Sequence, residues 1–465
     1  MNRALRTYTG APVWMQNLLL SAYGVRLRRL RYGSVGQKKL ASLRESQWMS
    51  AEEIHQYQLS VLTEVVARAA SDVPFYRRRG LEGIDFESFD QLRELPLLTK
   101  SEVQRARSEL ISDKYSRSRL TELHTGGTTG KPLAIYADRA TVQTHYAFFT
   151  RLKEWAGIRD GERVATFAGR TVVPPGAGEP YWRHNRTSNT LLCSSFHVGP
   201  ATAAAYVKAL ADFSPRLIDA YPSSIEPIVR FLADEPIRRV SPAAVITSSE
   251  TLFPAVRSLI ERAFGCGVFD YYCGGEMAAF IAQCEEGTYH VAPEFGVVEL
   301  LADGRPVGPG ERGEIVATPF INPVMPLLRY ATGDSAVRGS QACPCGRAGQ
   351  TIERIEGRID DVIVTPEGHF VGRLDSIFKS VSSISETRVI QDGIDHVRVE
   401  IVTSEGFTGQ MQGELETQLR LRLGPTMRID IVRVAAIGRT ERGKLRTMVN
   451  LVYRQTSTGV QKIIT

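Results

Sequence analysis

The chain has 465 residues, with 57 Lys+Arg against 51 Asp+Glu, a net charge of +6 and a pI near 9.0. Hydrophobic residues at 43% and charged residues at 23% exclude wholesale disorder and a collagen-like scaffold. Six cysteines over this length are too few for a disulfide framework and point to a reducing compartment.

At about 100–200 residues per domain, two to four domains are expected, or one large domain and a small one. The positive charge rests on 47 Arg and only 10 Lys. Excess Arg is often a codon-composition effect. No basic tail, zinc-finger spacing or aromatic ribonucleoprotein motif accompanies it, so no nucleic-acid partner is expected.

The densest basic run, Arg26, Arg28, Arg29 and Arg31, follows an apolar-rich stretch over 13–20. Gln16 and Asn17 break that stretch, which is too short and too polar for a membrane span of ~20 residues. No cleavage-site pattern follows it. It reads either as a helix lying on a membrane, hence a peripheral contact, or as a first helix packed on the body. A cytoplasmic protein is expected.

Residues 1–95 read as mostly helical. Ser50-Ala51-Glu52-Glu53 has the capping-box form, and Ile54, Leu59, Leu62, Val65, Val66 and Ala69 follow at near-helical spacing. This helix ends near Asp72-Val73-Pro74. From about 120 to 335 short apolar runs alternate with helical segments, as α/β architecture requires. Strands are predicted over 243–247 and 268–272 with a helix over 254–264 between them. A hairpin is predicted from 297–301 and 314–318. The last hundred residues read as a separate α+β unit: strand 396–402, helix 409–423, strand 427–434.

The string Thr125-Gly126-Gly127-Thr128-Thr129-Gly130-Lys131-Pro132 carries phosphate chemistry. Its glycines allow backbone N–H groups to approach an anion, while the threonines and lysine add donors and charge. A Walker loop is excluded, because that spacing needs Gly at Thr125 and Ser or Thr at Pro132. Composition alone would also allow a surface turn. Gly308-Pro309-Gly310-Glu311-Arg312-Gly313 matches the dinucleotide fingerprint, but it lies between two predicted strands with no helix after it. It is read as a hairpin turn.

The 125–132 string resembles the phosphate loop of the adenylate-forming superfamily: acyl-CoA synthetases, peptide-synthetase adenylation domains and luciferases. Four more motifs follow in the order of that family. Tyr272-Cys273-Gly274-Gly275-Glu276 resembles Tyr-Gly-x-Thr-Glu, with Cys273 and Gly275 as departures. Tyr330-Ala331-Thr332-Gly333-Asp334 resembles Tyr-Arg-Thr-Gly-Asp, with Ala331 for arginine. Gly357-Arg358-Ile359-Asp360-Asp361 matches the hinge motif, and Arg439-Thr440-Glu441-Arg442-Gly443-Lys444 resembles Arg-Thr-x-x-Gly-Lys. Leu95-Pro96-Leu97-Leu98-Thr99-Lys100, Ala220-Tyr221-Pro222-Ser223-Ser224 and Cys343-Pro344-Cys345-Gly346-Arg347 resemble the phenylacetate–CoA ligase branch. Asp72-Val73-Pro74-Phe75-Tyr76, in the long N-terminal segment, resembles its capsule-biosynthesis, CapK-type members.

The resemblance implies an α/β fold, with a large N-terminal adenylate-forming body, a helical N-terminal extension and a small C-terminal α+β cap domain. The boundaries expected are 1–95, 96–357 and 358–465. It implies that a carboxylate attacks the α-phosphorus of ATP and that a thiol, usually that of coenzyme A, takes the acyl group. Thr125–Lys131 would hold the phosphates, with Thr128 and Lys131 catalytic. Glu276 would ligate Mg²⁺, Tyr272 would lie on the adenine, and Asp334 would accept from the ribose. Ser249 and Glu250 would line the adenine pocket, and Arg358 would belong to the nucleotide set. Lys444 would bridge the substrate carboxylate and α-phosphate, and Asp360 would be the hinge about which the cap turns.

Cys284, His290, Cys343 and Cys345 offer three thiolates and an imidazole, a closed tetrahedral zinc set, or else buried reduced thiols. The branch resembled has members with such a zinc site, which implies a structural metal. His369 is a further ligand candidate. Arg170, Trp182 and His197 are candidates for the acid pocket, with core and surface roles as the alternative. Two other functions stay open: adenylation with transfer to a carrier, amine or sugar in surface-polysaccharide assembly, and a catalytically silent nucleotide-binding scaffold. The partners expected are a small carboxylic acid and a second copy of the chain.

Overall fold

The computed structural model describes residues 8–81, 83, 86–124, 133–174, 177–199, 201–234, 240–356, 362–367, 370–372, 374, 377–378, 381, 383–438, 448–456 and 459–462. The expected phosphate loop, the hinge motif with Arg358 and Asp360, His369, and Lys444 lie outside the described residues.

Three helices open the chain: α1 (Val13–Arg31), α2 (Ser34–Ser46) and α3 (Ala51–Asp72). The capping box forms as expected. Ser50 Oγ accepts from Glu53 N, and the Glu53 carboxylate accepts from Ser50 N at 2.7 Å. The helix stops at Val73, whose β conformation is what the following Pro74 demands. Further on come α4 (Lys100–Arg105), α5 (Arg139–Trp155), α6 (Ala203–Phe213), α7 (Pro222–Asp234) and α8 (Pro254–Phe264). The last of these keeps its predicted bounds because Pro254 supplies N1 and Gly265, at φ 66°, closes it in the left-handed region.

The described strands of the body, apart from one hairpin, make a single 13-stranded sheet. Its parallel part holds β3 (Val164–Phe167), β5 (Thr190–Cys193), β6 (Leu217–Ala220), β7 (Ala244–Ser248) and β8 (Gly267–Tyr272). On these strands alternate residues enter two different cores. Leu217, Ala244 and Ile246 join one cluster, and Ile218, Ala220 and Val245 join the other. Burial on both faces explains why the strands read as continuous apolar runs.

An antiparallel meander continues from β8 through β9 (Ile281–Gln283), β10 (Tyr289–Val291), β15 (Thr351–Glu356), β14 (Tyr330–Arg338), β13 (Arg312–Pro319) and β11 (Gly296–Ala302) to β12 (Arg305–Pro306). β11 and β13 form the predicted hairpin, and the dinucleotide look-alike is part of its connection. At the other edge β4 (Trp182–Asn185) pairs with β5. β1 (Thr121–His124) and β2 (Ala134–Ala137) pair antiparallel on either side of 125–132, ending on His124 opposite Ala134.

The C-terminal unit has its own core. A four-stranded sheet in the order β20 (Arg428–Arg433), β19 (His396–Thr403), β18 (Ile384–Gly393) and β21 (Met448–Asn450) carries α9 (Gly409–Leu423). Leu415, Leu419 and Leu423, at helical spacing, pack on Val389, Val397 and Val399. Among the described residues no helix is long and apolar enough to cross a membrane.

Candidate functional site

The carboxyl ends of the parallel neighbours β6, β7 and β8 lie side by side at one edge of the sheet, the place where α/β sheets bind ligands. Tyr272 ends β8 and donates its hydroxyl to Asp334 Oδ2 at 2.9 Å. Asp334 is on β14, with three strands between it and β8 in the sheet, so the sheet curls until the two meet. Thr332 fixes the aspartate backbone: its hydroxyl accepts from Asp334 N at 3.2 Å and donates to Ile315 O at 2.9 Å. Burial drives the Tyr272 hydroxyl far above its usual pKa, and the Asp334 charge pushes the same way. The phenol therefore stays a donor, leaving an aromatic face beside a carboxylate.

Glu276 follows on the same loop. A Cβ at Gly274 would collide with Glu276 Oε2, so a side chain there would displace the Glu276 carboxylate from this position. Burial raises the carboxyl of Glu276 above its ordinary range; the Lys100 charge opposes that and Asp334 adds to it. Lys100 arrives by a route that composition does not show. Leu98 bridges β14, its N–H donating to Arg329 O at 2.9 Å and its carbonyl accepting from Ala331 N at 3.0 Å. Thr99 then caps α4 through Glu102, which places Lys100 at the first position of the helix. The Leu95–Lys100 string is thus an added edge of the site, running past the expected ribose carboxylate.

Ser249 and Met277, beyond β7 and β8, hold left-handed φ values of 68° and 54°. Backbone strain of this kind collects at ligand sites. The Glu250 carboxylate accepts from Ser223 N and Ser223 Oγ, both at 2.9 Å, at the start of α7. Arg422 of α9 reaches across from the C-terminal unit, donating to the same Ser223 Oγ at 2.9 Å and to Ser195 O at 3.1 Å. A Cβ on Gly199 would stand 2.7 Å from Leu421 O, so the two units meet closely there. Arg422 and Ser223 were not legible as site residues. They join the stretch at Glu250 to the placement of the small unit.

From α5, His145 stacks on Phe149 at 4.9 Å, and Tyr271 of β8 meets Phe149 edge-on at 5.1 Å. Cys273 Sγ lies 3.6 Å from His145 Nε2. Burial lowers His145 to about 4 and raises the Cys273 thiol well above its usual value. The imidazole is neutral and the sulfur is a thiol, so Cys273 lines the site and is no nucleophile. Asp219, on β6, is raised by burial, against the charges of Lys153 and Arg170. Sequence reasoning missed His145 and Asp219, because only α5 brings His145 to Cys273 and only the strand order brings Asp219 to Tyr271.

The three acid-pocket candidates separate. Arg170 is exposed just past β3, and its charge reaches Asp219 and Tyr146. Trp182, on the edge strand β4, packs on Tyr206 at 6.0 Å. His197 stacks on Tyr181 at 5.2 Å, with Nδ1 2.8 Å from Ser194 Oγ. Trp182 and His197 thus share an aromatic cluster around Tyr206, with β3, β6 and β7 between β5 and the strand of Tyr272.

The cysteine set does converge. One ligand atom from each of Cys284, His290, Cys343 and Cys345 lies within 4.8 Å of every other. Cys284 Sγ and Cys343 Sγ are 3.6 Å apart, and Cys345 Sγ is 3.4 Å from His290 Nε2. With ~2.3 Å zinc–sulfur arms, the sulfur–sulfur edge of a tetrahedron is about 3.8 Å. The donor set and its size fit a closed zinc site. Burial lowers His290 to about 4, with Arg347 acting in the same sense, which leaves the neutral imidazole that ligation requires. Arg347 braces the loop. It pairs with Glu285 at 2.8 Å and lies between Trp48 and Trp155, at 4.9 and 4.4 Å from their rings. The β9–β10 hairpin, the 343–347 loop and the end of α5 are stapled together just before β15.

The CapK C-terminal domain family matches residues 363–451. Protein CapK of Staphylococcus aureus is 27% identical over 95% of this chain and 98% of its own length. Phenylacetate–coenzyme A ligase of Thermus thermophilus is 24% identical over 88% of this chain and 98% of its own. Among solved structures, 2-hydroxyisobutyryl-CoA ligase in its thioesterification state superimposes with a TM-score of 0.56. At 21% identity, covering 87% of this chain and 91% of that one, it speaks for the fold. Over nearly its whole length the chain is thus similar to CapK and to the phenylacetate–coenzyme A ligases, its C-terminal unit matches the CapK C-terminal domain family, and the Tyr272–Asp334–Glu276 constellation agrees with the resemblance to the adenylate-forming superfamily.

Proposed function

We propose that the protein activates a small carboxylic acid with ATP and passes the acyl group to the thiol of coenzyme A. The observation that carries this is the meeting of Tyr272, Asp334 and Glu276 beyond the carboxyl end of β8. The Thermus thermophilus relative bears the name of such a ligase.

In the first half-reaction a carboxylate oxygen bonds to the α-phosphorus and pyrophosphate leaves. Tyr272 offers its ring to the adenine, and Asp334 accepts from the ribose hydroxyls. Ser249 and Glu250 flank the base, and Arg358 completes the nucleotide set. Thr125 through Lys131 hold the departing phosphates. Glu276, a hard oxygen donor, would hold Mg²⁺, which would supply positive charge for them. Lys444 offsets the charge of the two anions brought together. In the second half-reaction the thiol sulfur bonds to the acyl carbon and AMP leaves, after the unit beyond Asp360 has turned. The body is 96–357 with its 1–95 extension, and the mobile unit is 358–465. Cys284, His290, Cys343 and Cys345 hold a structural zinc, whose four protein ligands leave no open position.

Incubation with ATP, Mg²⁺, coenzyme A and a panel of aryl and aliphatic acids tests this. A thioester detected by mass for at least one acid is expected. An acyl-adenylate that never becomes a thioester would move the acceptor to a carrier, amine or sugar. ATP binding without adenylate for any acid would leave the reading of a catalytically silent nucleotide-binding scaffold.

A further inference from the structure

α1 turns polar side chains toward the body and leaves several large apolar ones exposed. Its inward face is polar because it covers an open sheet edge. Asn17 Oδ1 accepts from His184 N at 2.9 Å, and Ser21 Oγ accepts from Arg186 N at 3.0 Å. Thr187 Oγ1 donates to Ser21 O at 2.7 Å, and buried Gln16 accepts from Arg183. A Cβ on Gly24 would stand 2.6 Å from Asn185 Nδ2, so the helix lies tight on β4. Supplying partners to an edge strand uses up the polar residues. The apolar ones are left outside.

That outer face is continuous. Trp14, Leu18, Ala22 and Val25 recur at helical spacing, with Leu19 and Tyr23 beside them. Trp14 is 65% exposed, Leu18 61% and Tyr23 54%. An apolar stripe of this length on a surface helix marks a contact.

Charge identifies what covers it. The first 44 residues hold nine of the 57 Lys+Arg and none of the 51 Asp+Glu, so the rest of the chain has a net −3. Arg31 turns inward over the Tyr146 ring at 4.7 Å, and Arg28 approaches Asp160 at 3.8 Å. Arg26 and Arg29 are exposed at the end of the apolar stripe. We infer that α1 lies on an anionic lipid surface, with Trp14, Leu18 and Val25 in the headgroup–acyl boundary and Arg26 and Arg29 on lipid phosphates. Bilayer contact joins apolar burial to attraction for negative headgroups, and both halves stand on one face of one helix. The polar inner face stays on β4, so the helix binds as part of the folded body.

The test is sedimentation of the full chain with phosphatidylcholine vesicles, with and without phosphatidylglycerol. Binding is expected only with phosphatidylglycerol and should weaken as salt rises. Arg26→Glu and Arg29→Glu should each lower the partition coefficient at least about fivefold, the worth of one basic residue near an anionic surface. The double variant Trp14→Ala, Leu18→Ala should lower it about tenfold or more. All should melt with the parent, since these side chains point away from the body. Absence of binding to phosphatidylglycerol vesicles overturns the inference, as does binding that neither kind of variant changes. A concentration-dependent dimer that the apolar variant dissolves, with no vesicle binding by the parent, would assign the face to a second copy instead.

Discussion

Two polar clusters in this molecule are built on opposite plans. The Cys284–His290–Cys343–Cys345 set is closed: four ligand atoms face one another, and Arg347, Trp48 and Trp155 brace the outside. The Tyr272–Asp334–Glu276 set is open. Its three side chains are only half-buried, residues past two strand ends hold left-handed φ values, and Ser223 and Arg422 join it to a second unit. A closed set can only hold. An open one, with two half-buried carboxylates and a lysine nearby, can bind and let go.

The largest expected effect falls on the open set. Lys444→Ala should lower adenylate formation roughly 10²–10³-fold, while thioester formation from supplied acyl-adenylate survives. Equal loss of both halves would contradict a turning unit. The variant should melt with the parent. Cys343→Ser should do the reverse, losing the zinc and roughly 5–10 °C of melting temperature, with activity falling only as the protein unfolds. A metal-free protein of unchanged stability would break the comparison, because the cluster would then hold nothing together.

The third prediction concerns pH. His145 is lowered to about 4 by burial, from an ordinary 6.5. Above 6.5 both folded and unfolded chains carry it neutral, so it contributes nothing. Below 6.5 the unfolded chain takes up the proton and the folded one does not. Stability therefore falls as pH drops from 6.5 to about 4, by as much as about 3 kcal/mol. His145→Gln should flatten this part of the urea-midpoint profile.

The smallest effect is expected at Arg422. Arg422→Ala removes the bonds to Ser195 and Ser223, and should speed proteolytic cleavage between β15 and the C-terminal unit by about tenfold at most. Unchanged cleavage would mean that Arg422 does not hold the units together.

What was legible in the sequence was local. α3 and α8 follow from a capping box, a proline at N1 and a left-handed glycine, all within a few residues of the helix they bound. The meeting of Cys284, His290, Cys343 and Cys345 was legible because only a few residue types can build a metal site. Lys100 was not, although its string stood out. It nears Glu276 only because Leu98 pairs beside β14, a non-local contact. Asp219 and His145 were missed for the same reason. Trp182 and His197 were plausible by residue type, yet strand order puts them in a cluster around Tyr206. α1 was read with two alternatives, and its polar residues proved to be its inner face. Hydrophobic pattern alone could not show this, because the neighbour was a sheet edge.

Radiolabelled pyrophosphate exchange into ATP, measured with the acid panel for the parent and for Asp334→Ala, tests the central claim most directly. The parent should exchange with at least one acid. Asp334→Ala should weaken ATP roughly 10–100-fold, the worth of lost hydrogen bonds to a charged group. Exchange with no acid, or exchange at unchanged ATP affinity in Asp334→Ala, would contradict the account.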